Sequence, residues 1–237
     1  EKSFTIYKDT KGPDIVLKNL SSGSTILKSD VSDTNTFTVK GSWNDNGGSG
    51  YSKLEYSLNN ASWKEITQED LNWEKAILLT EGAEQTLYFR ATDKVDNVST
   101  ETVNNLTVDL SAPVVDVTSA NNQNLNTDYT LSGKATDSLA LDKVVISATK
   151  NGDSLGSRLT VNATDNSTKE LAYEKAVTEE GRWVFTVKAY DKAGQVFTTE
   201  TIYVNIDKTS PSKPEIRTPD SNAIKQNAIS SEQYRFS

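Results

Sequence analysis

Hydrophobic and polar residues alternate with a period of two along most of the chain. In TFTVKGSW, Phe37, Val39, Gly41 and Trp43 fall on one side and Thr36, Thr38, Lys40 and Ser42 on the other, the pattern of a strand with one buried and one wet face. DYTLSGKA repeats it, setting Tyr129, Leu131, Gly133 and Ala135 against Asp128, Thr130, Ser132 and Lys134. KLEYSL places Leu54, Tyr56 and Leu58 inward, and KVVISA answers with Val144, Ile146 and Ala148. WEKAI from Trp73 is matched by YEKAV from Tyr173, and LYFRA by FTVKA. Short strands separated by Asn, Asp, Gly and Ser predict an all-β chain built of antiparallel sandwiches. Only TQEDLNWEKAILL has helical character; its counterpart NSTKELAYEKAV reads as easily as a strand, and strand is the expectation for both.

The matched strands belong to a repeat. From Leu87 and Phe185 onward two copies run 98 residues apart without a gap, pairing Ala91 with Ala189, Asp93 with Asp191, Asp109 with Asp207 and Pro113 with Pro211. Upstream, Gly41 and Asp45 match Gly133 and Asp137 at an offset of 92, so about six residues are inserted between the middle strands of the second copy, where a loop tolerates them. A unit of this length suits an immunoglobulin-type sandwich of about 100 residues, large enough to hold a core. The spacing D-x-x-x-P occurs a third time as DTKGP, from Asp9 to Pro13. The expected organisation is therefore residues 1–11 as the last strand of a preceding domain, 12–110 and 111–209 as two complete domains, and 210–237 as a linker and the start of a following one. The absence of an initial Met suits a piece of an array.

Composition narrows the chemistry. The chain has no Cys, His or Met and a formal charge of -8. That balance argues against a nucleic-acid partner. Without Cys there is neither a disulfide framework nor a thiolate zinc site, and without His or Cys there is no Ser-His or Cys-His nucleophile. No apolar run approaches the ~18 residues of a membrane helix, so no membrane insertion of this segment is expected. Six N-x-S/T triplets, at Asn19, Asn60, Asn97, Asn105, Asn162 and Asn166, arise readily in a chain this rich in Asn, Ser and Thr.

The segments ATDKVDN…VDLSAP and AYDKAGQ…IDKTSP resemble the A-x-D-x-A-G-N turn and D-x-x-x-P closing segment of the tandem bacterial Ig-like domains of large surface adhesins. The likeness covers both complete units, about 200 residues, through short motifs that many bacterial sandwich repeats share. Val95 and Asp96 depart from the family's Ala-Gly, and Gln195 from its Asn. The resemblance implies tandem immunoglobulin-like β-sandwiches in an elongated array, on the bacterial surface or secreted. It implies a spacer that is no enzyme and requires no cofactor. Its partners would be the neighbouring domains of the same chain, and a host protein or glycan reached through the parent protein. In some members calcium stiffens the joints.

Sandwich geometry locates such joints here. The closing strand of one unit leaves at one pole, and the next unit presents two turns to it. The first joint would bring Asp9 near Asp45, Asp93 and Asp96; the second would bring Asp109 near Asp137 and Asp191. Calcium takes six to eight oxygens, several from carboxylates, so these aspartates are the candidate ligands. The alternative is that Asp and Asn stand there as turn residues bonding their own backbone. A second function would be ligand or glycan binding, in a module accessory to a secreted carbohydrate-active enzyme. Trp43 has inward parity and Trp183 sits at a strand entrance, which suits core packing. Trp63, Trp73 and Tyr51, around NDNGGSGY, are the candidate ligand-binding residues.

Overall fold

The computed structural model describes residues 8–67, 71–199 and 201–214. The first half holds β1 (Asp14–Leu17), β2 (Thr25–Leu27), β3 (Thr36–Asn44), β4 (Tyr51–Ser57), β5 (Lys64–Glu65), β6 (Asn72–Leu78), β7 (Gly82–Asp93) and β8 (Val98–Asp109). The second holds β9 (Val114–Val117), β10 (Gln123–Leu125), β11 (Tyr129–Thr136), β12 (Leu141–Lys150), β13 (Asp153–Asn162), β14 (Glu170–Val177), β15 (Gly181–Asp191), β16 (Val196–Thr198) and β17 (Ile202–Ile206). Apart from one 3-10 turn at Lys28–Asp30, every regular element among the described residues is a strand. Both stretches with ambiguous patterns, at β6 and β14, are strands; residues 68–70, at the start of the first, lie outside the described residues.

Each half is a two-sheet sandwich. In the first, β1-β3-β6 faces β2-β8-β7-β4-β5; in the second, β14-β11-β9 faces β10-β17-β15-β12-β13, with β16 also on β15. The opening segment of each half is shared between sheets: β1 runs antiparallel to β3 and β2 parallel to β8, as β9 does to β11 and β10 to β17. Two separate cores result. Val39, Leu54, Phe89, Ala91 and Val108 are fully buried in the first, and Leu131, Val144, Ile146, Phe185 and Val187 in the second. Alternation fails at one predicted position. β4 ends at Ser57, whose hydroxyl bonds Asn59 in the following turn, and Leu58 is left exposed.

Two glycines in the strands have a steric reason. Gly41 pairs with Trp73 and Gly133 with Tyr173 across neighbouring strands. A Cβ on Gly41 would enter the Trp73 ring; one on Gly133 would meet the Tyr173 ring and the Asp116 carbonyl. Each aromatic lies flat over a backbone that only glycine leaves bare. The extra residues of the second copy extend the β12–β13 hairpin, which turns through Asn151 (φ 54°) and Gly152 (φ 97°), the dipeptide favoured in tight hairpin turns.

Candidate metal centres at the two joints

At the first joint three strand or linker ends converge. Asp9 lies in the linker before Pro13, Asp45 follows β3, and Asp93 closes β7. One carboxylate oxygen of each lies within 4.8 Å of the other two. Backbone amides position them: Ser49 N–H donates to Asp9 Oδ2 (2.6 Å), Gly50 N–H to Asp45 Oδ2 (2.5 Å), and Val95 and Asn97 N–H to Asp93 Oδ1 (2.8 Å each). The amides of Ser49 and Lys11 hold the Asp9 carboxyl below its ordinary value. Gly48 is crowded between the acids, because a Cβ there would stand 2.5 Å from Asp9 Oδ2 and 2.7 Å from Asp45 Oδ2. The cleft around them, about 580 Å³, is lined by the linker and the Asp45–Ser49 turn. Asp96 stays outside this group, exposed on the turn with φ 66°. Its backbone serves the turn and its side chain faces water.

The second joint is more deeply buried. Asp109 closes β8, Asp137 follows β11 and Asp191 closes β15, and their exposures are 2%, 8% and 3%. Leu139 and Ala140 N–H cap Asp137 Oδ1, and Gln195 N–H caps Asp191 Oδ1. The second oxygen of each, Asp137 Oδ2 and Asp191 Oδ2, is buried and has no hydrogen-bond partner. Asp109 Oδ1 accepts from Gln195 Nε2 (3.0 Å), which also reaches the Ser111 carbonyl (3.1 Å) and so fastens the linker to the second sandwich. Glu81, on the turn between β6 and β7, accepts from the Ser111 and Ser138 hydroxyls, tying the first sandwich to the same place. Among the described residues no Lys or Arg forms an ion pair with any of these four acids.

That combination is electrostatically costly. Burial first, then the charges of Asp191, Asp137 and Glu81, push Asp109 up to about 6, and burial raises Asp191 as well. An orphaned buried carboxylate oxygen is unfavourable unless something positive meets it. The donor set is hard oxygen, which suits calcium and not a soft metal. Asp109, Asp137 and Asp191 would hold it here, and Asp9, Asp45 and Asp93 at the first joint. Among the described residues only the first trio brings one carboxylate oxygen each within 4.8 Å of the others; the second set carries the unsatisfied oxygens.

A pH effect follows, with its sign set by the raised values. In chelator the folded state binds protons more tightly than the unfolded chain between pH ~4 and ~6, so stability falls as pH rises through that window and levels off above it. Asp9, Glu55, Asp165 and Glu179 are held below their ordinary values, so their contribution is lost only at more acidic pH. Thermal melts in chelator are expected to give a higher melting temperature at pH 5 than at pH 7, and Asp109→Asn to flatten that difference.

The three candidate ligand-binding residues do not share a surface. Trp73 is 3% exposed and packs against Phe89, ring centroids 5.7 Å apart, because its strand parity directs it over Gly41. Tyr51 packs against Trp43 with the rings tilted by 35° and their centroids 4.7 Å apart. Trp63 lies under the Arg90 guanidinium at 4.1 Å, and Arg90 is itself paired with Glu55 at 2.7 Å. Trp183 is buried, with its indole N–H on the Glu179 carbonyl.

No family model and no curated protein matches the chain. Solved structures that resemble it include the fibronectin(III)-like modules of Clostridium thermocellum CbhA, at 15% identity over 94% of this chain and all of that one, TM-score 0.36. Others are DIP-gamma IG1+IG2, 11% identical over 83% of this chain and 98% of that one, TM-score 0.41, and a tetra-tandem repeat from the extending region of a large adhesion protein. The last is 15% identical over 84% of this chain and 50% of that one, TM-score 0.39. These likenesses are of fold alone; the assignment of two tandem β-sandwiches rests on the chain's own sheets. Among the described residues no helix is long and apolar enough to cross a membrane.

Proposed function

We propose that the chain is a stretch of non-catalytic Ig-like repeats, domains 12–110 and 111–209, that serves as a spacer in the stalk of a bacterial cell-surface or secreted adhesin, with calcium held at its joints. One observation carries this reading. At the first joint the linker acid four residues before the proline and the acids of two turns bring one carboxylate oxygen each within 4.8 Å of one another, and the acids at the repeated positions of the second joint lie close enough for the charges of Asp137 and Asp191 to raise Asp109. A turn residue needs its carboxylate only for its own backbone. At the first joint carboxylates from the linker and two turns are brought together, and at the second two acids keep an oxygen unspent. A cation shared between linker and sandwich would fix the angle between successive units, which is what a spacer requires.

Small-angle scattering in calcium and in chelator tests this directly. An elongated particle in calcium, with a longer maximum dimension than in chelator, is the expected result. A compact particle in both, or two identical profiles, would remove the spacer and calcium readings respectively.

A further inference from the structure

The second sandwich carries a groove of about 850 Å³ on the outer face of its larger sheet, within the ~300–1,000 Å³ range of ligand sites. Cross-strand register builds it in two rows. Asn124 on β10, Asn205 on β17 and Arg182 on β15 stand opposite one another, and Tyr203, Val184 and Thr149 form the adjacent row. The alternation of these strands buries Trp183, Val204 and Ile206 and turns Asn124, Arg182 and Tyr203 outward. Tyr203 is half exposed.

The polar row is unspent. Among the described residues the Arg182 guanidinium and the Asn124 and Asn205 amides have no hydrogen-bond or ion-pair partner, and the nearby acids are engaged: Glu179 by Lys150 at 2.6 Å, Glu180 by the Lys208 amide and the Thr209 hydroxyl. An unpaired guanidinium in a chain of charge -8 presents a locally positive, bidentate donor suited to a carboxylate. Beside it are planar amides that can each donate and accept, as vicinal hydroxyls require, and an exposed aromatic face. β15 and β17 are each paired on both edges and, of the strands lining the groove's polar row, only β10 has a free one, so across the face of the groove recognition falls to side chains. The first sandwich lacks the feature: 98 residues before Tyr203 and Asn205 stand Asn105 and Thr107.

We infer that this groove binds a carboxylated saccharide, with Arg182 on the carboxylate, Asn124 and Asn205 on ring hydroxyls, and Tyr203 against the apolar face of the ring. The site is remote from the acidic joints and is independent of their chemistry.

The test is titration of the chain with oligosaccharides ending in glucuronic acid or in sialic acid, each beside a control whose carboxyl is reduced to the alcohol, read by backbone amide shifts and calorimetry. Saturable binding of at least one acid is expected, with shifts confined to β10, β12, β15 and β17, and unchanged by chelator. Arg182→Ala and carboxyl reduction should each weaken it about tenfold or more, Arg182→Lys less, and Tyr203→Ala comparably to Arg182→Ala, all with wild-type melting temperatures because the positions are on the surface. Binding of neither acid, binding indifferent to both Arg182→Ala and Tyr203→Ala, shifts centred on the first sandwich, or equal binding of an oligoglutamate peptide would each overturn the assignment.

Discussion

Calcium added to chelator-treated protein at about one hundred times its dissociation constant is expected to raise the melting temperature by about 10–20 °C. Ligand that binds only the folded state stabilises by about 2.7 kcal/mol at one hundred times its dissociation constant, and each kcal/mol moves a ~100-residue domain by about 4–8 °C. Asp191→Asn and Asp137→Asn sharpen the test, because they replace the oxygens that lack partners. In chelator each substitution should leave stability equal or higher, since it removes one of several like charges crowded at Asp109. In calcium each should lower it below wild type. That reversal of sign separates a metal site from turn chemistry: if the acids only cap their own turns, calcium does nothing and the variants behave alike in both buffers.

Trp73→Ala carries the second large effect. Deleting a buried tryptophan costs about 3–5 kcal/mol, and here the loss includes its contact with Phe89 and the cover over Gly41. Urea unfolding followed by circular dichroism should show the first sandwich lowered by that amount. Trp63→Ala should cost only about 1 kcal/mol, the worth of an exposed cation–π contact, since its ring meets Arg90 at the surface. A Trp73→Ala protein as stable as wild type would contradict its place in the core.

The contrast between these two tryptophans marks how far the sequence could be read. Strand parity was legible wherever a strand was long: Val144, Ile146 and Ala148 are buried as alternation predicts. It failed at Leu58, where β4 stops one residue short and the turn takes over. Parity also contained the answer for Trp73, on the same face of its strand as the buried Ile77 four residues on, yet bulk and aromaticity suggested a ligand platform. Its glycine partner Gly41 was the missing clue, because the pairing of β3 with β6 is not written in either segment alone.

At the joints the acids themselves were visible as repeated positions, while their neighbours were not. Glu81 occupies no D-x-x-x-P spacing and reaches the joint only because the β6–β7 turn lies at that pole. Gln195 stood out merely as a departure from Asn. The structure gives that departure a purpose: Asn97 in the first unit bonds Asp93 on its own turn, whereas the longer Gln195 side chain crosses to Asp109 and the linker. Asp96 shows the converse, an acid at a repeated turn whose side chain has no role in the cluster. The groove on β10, β15 and β17 was illegible because it depends on three-strand register, and its members are spread over more than eighty positions of the chain.

The parallel pairing of β2 with β8, and of β10 with β17, has a mechanical consequence for a chain held at both ends. Tension enters a unit ahead of its opening strand and leaves after its closing strand, so it drags two parallel neighbours in opposite directions along their common axis. The hydrogen bonds between them, Gln123 to Val204 through Leu125 to Ile206 in the second unit, are then loaded side by side rather than peeled one after another. Rupture under flow requires them to fail together, and the first element to yield in each sandwich is its three-residue parallel clasp rather than the long central hairpins.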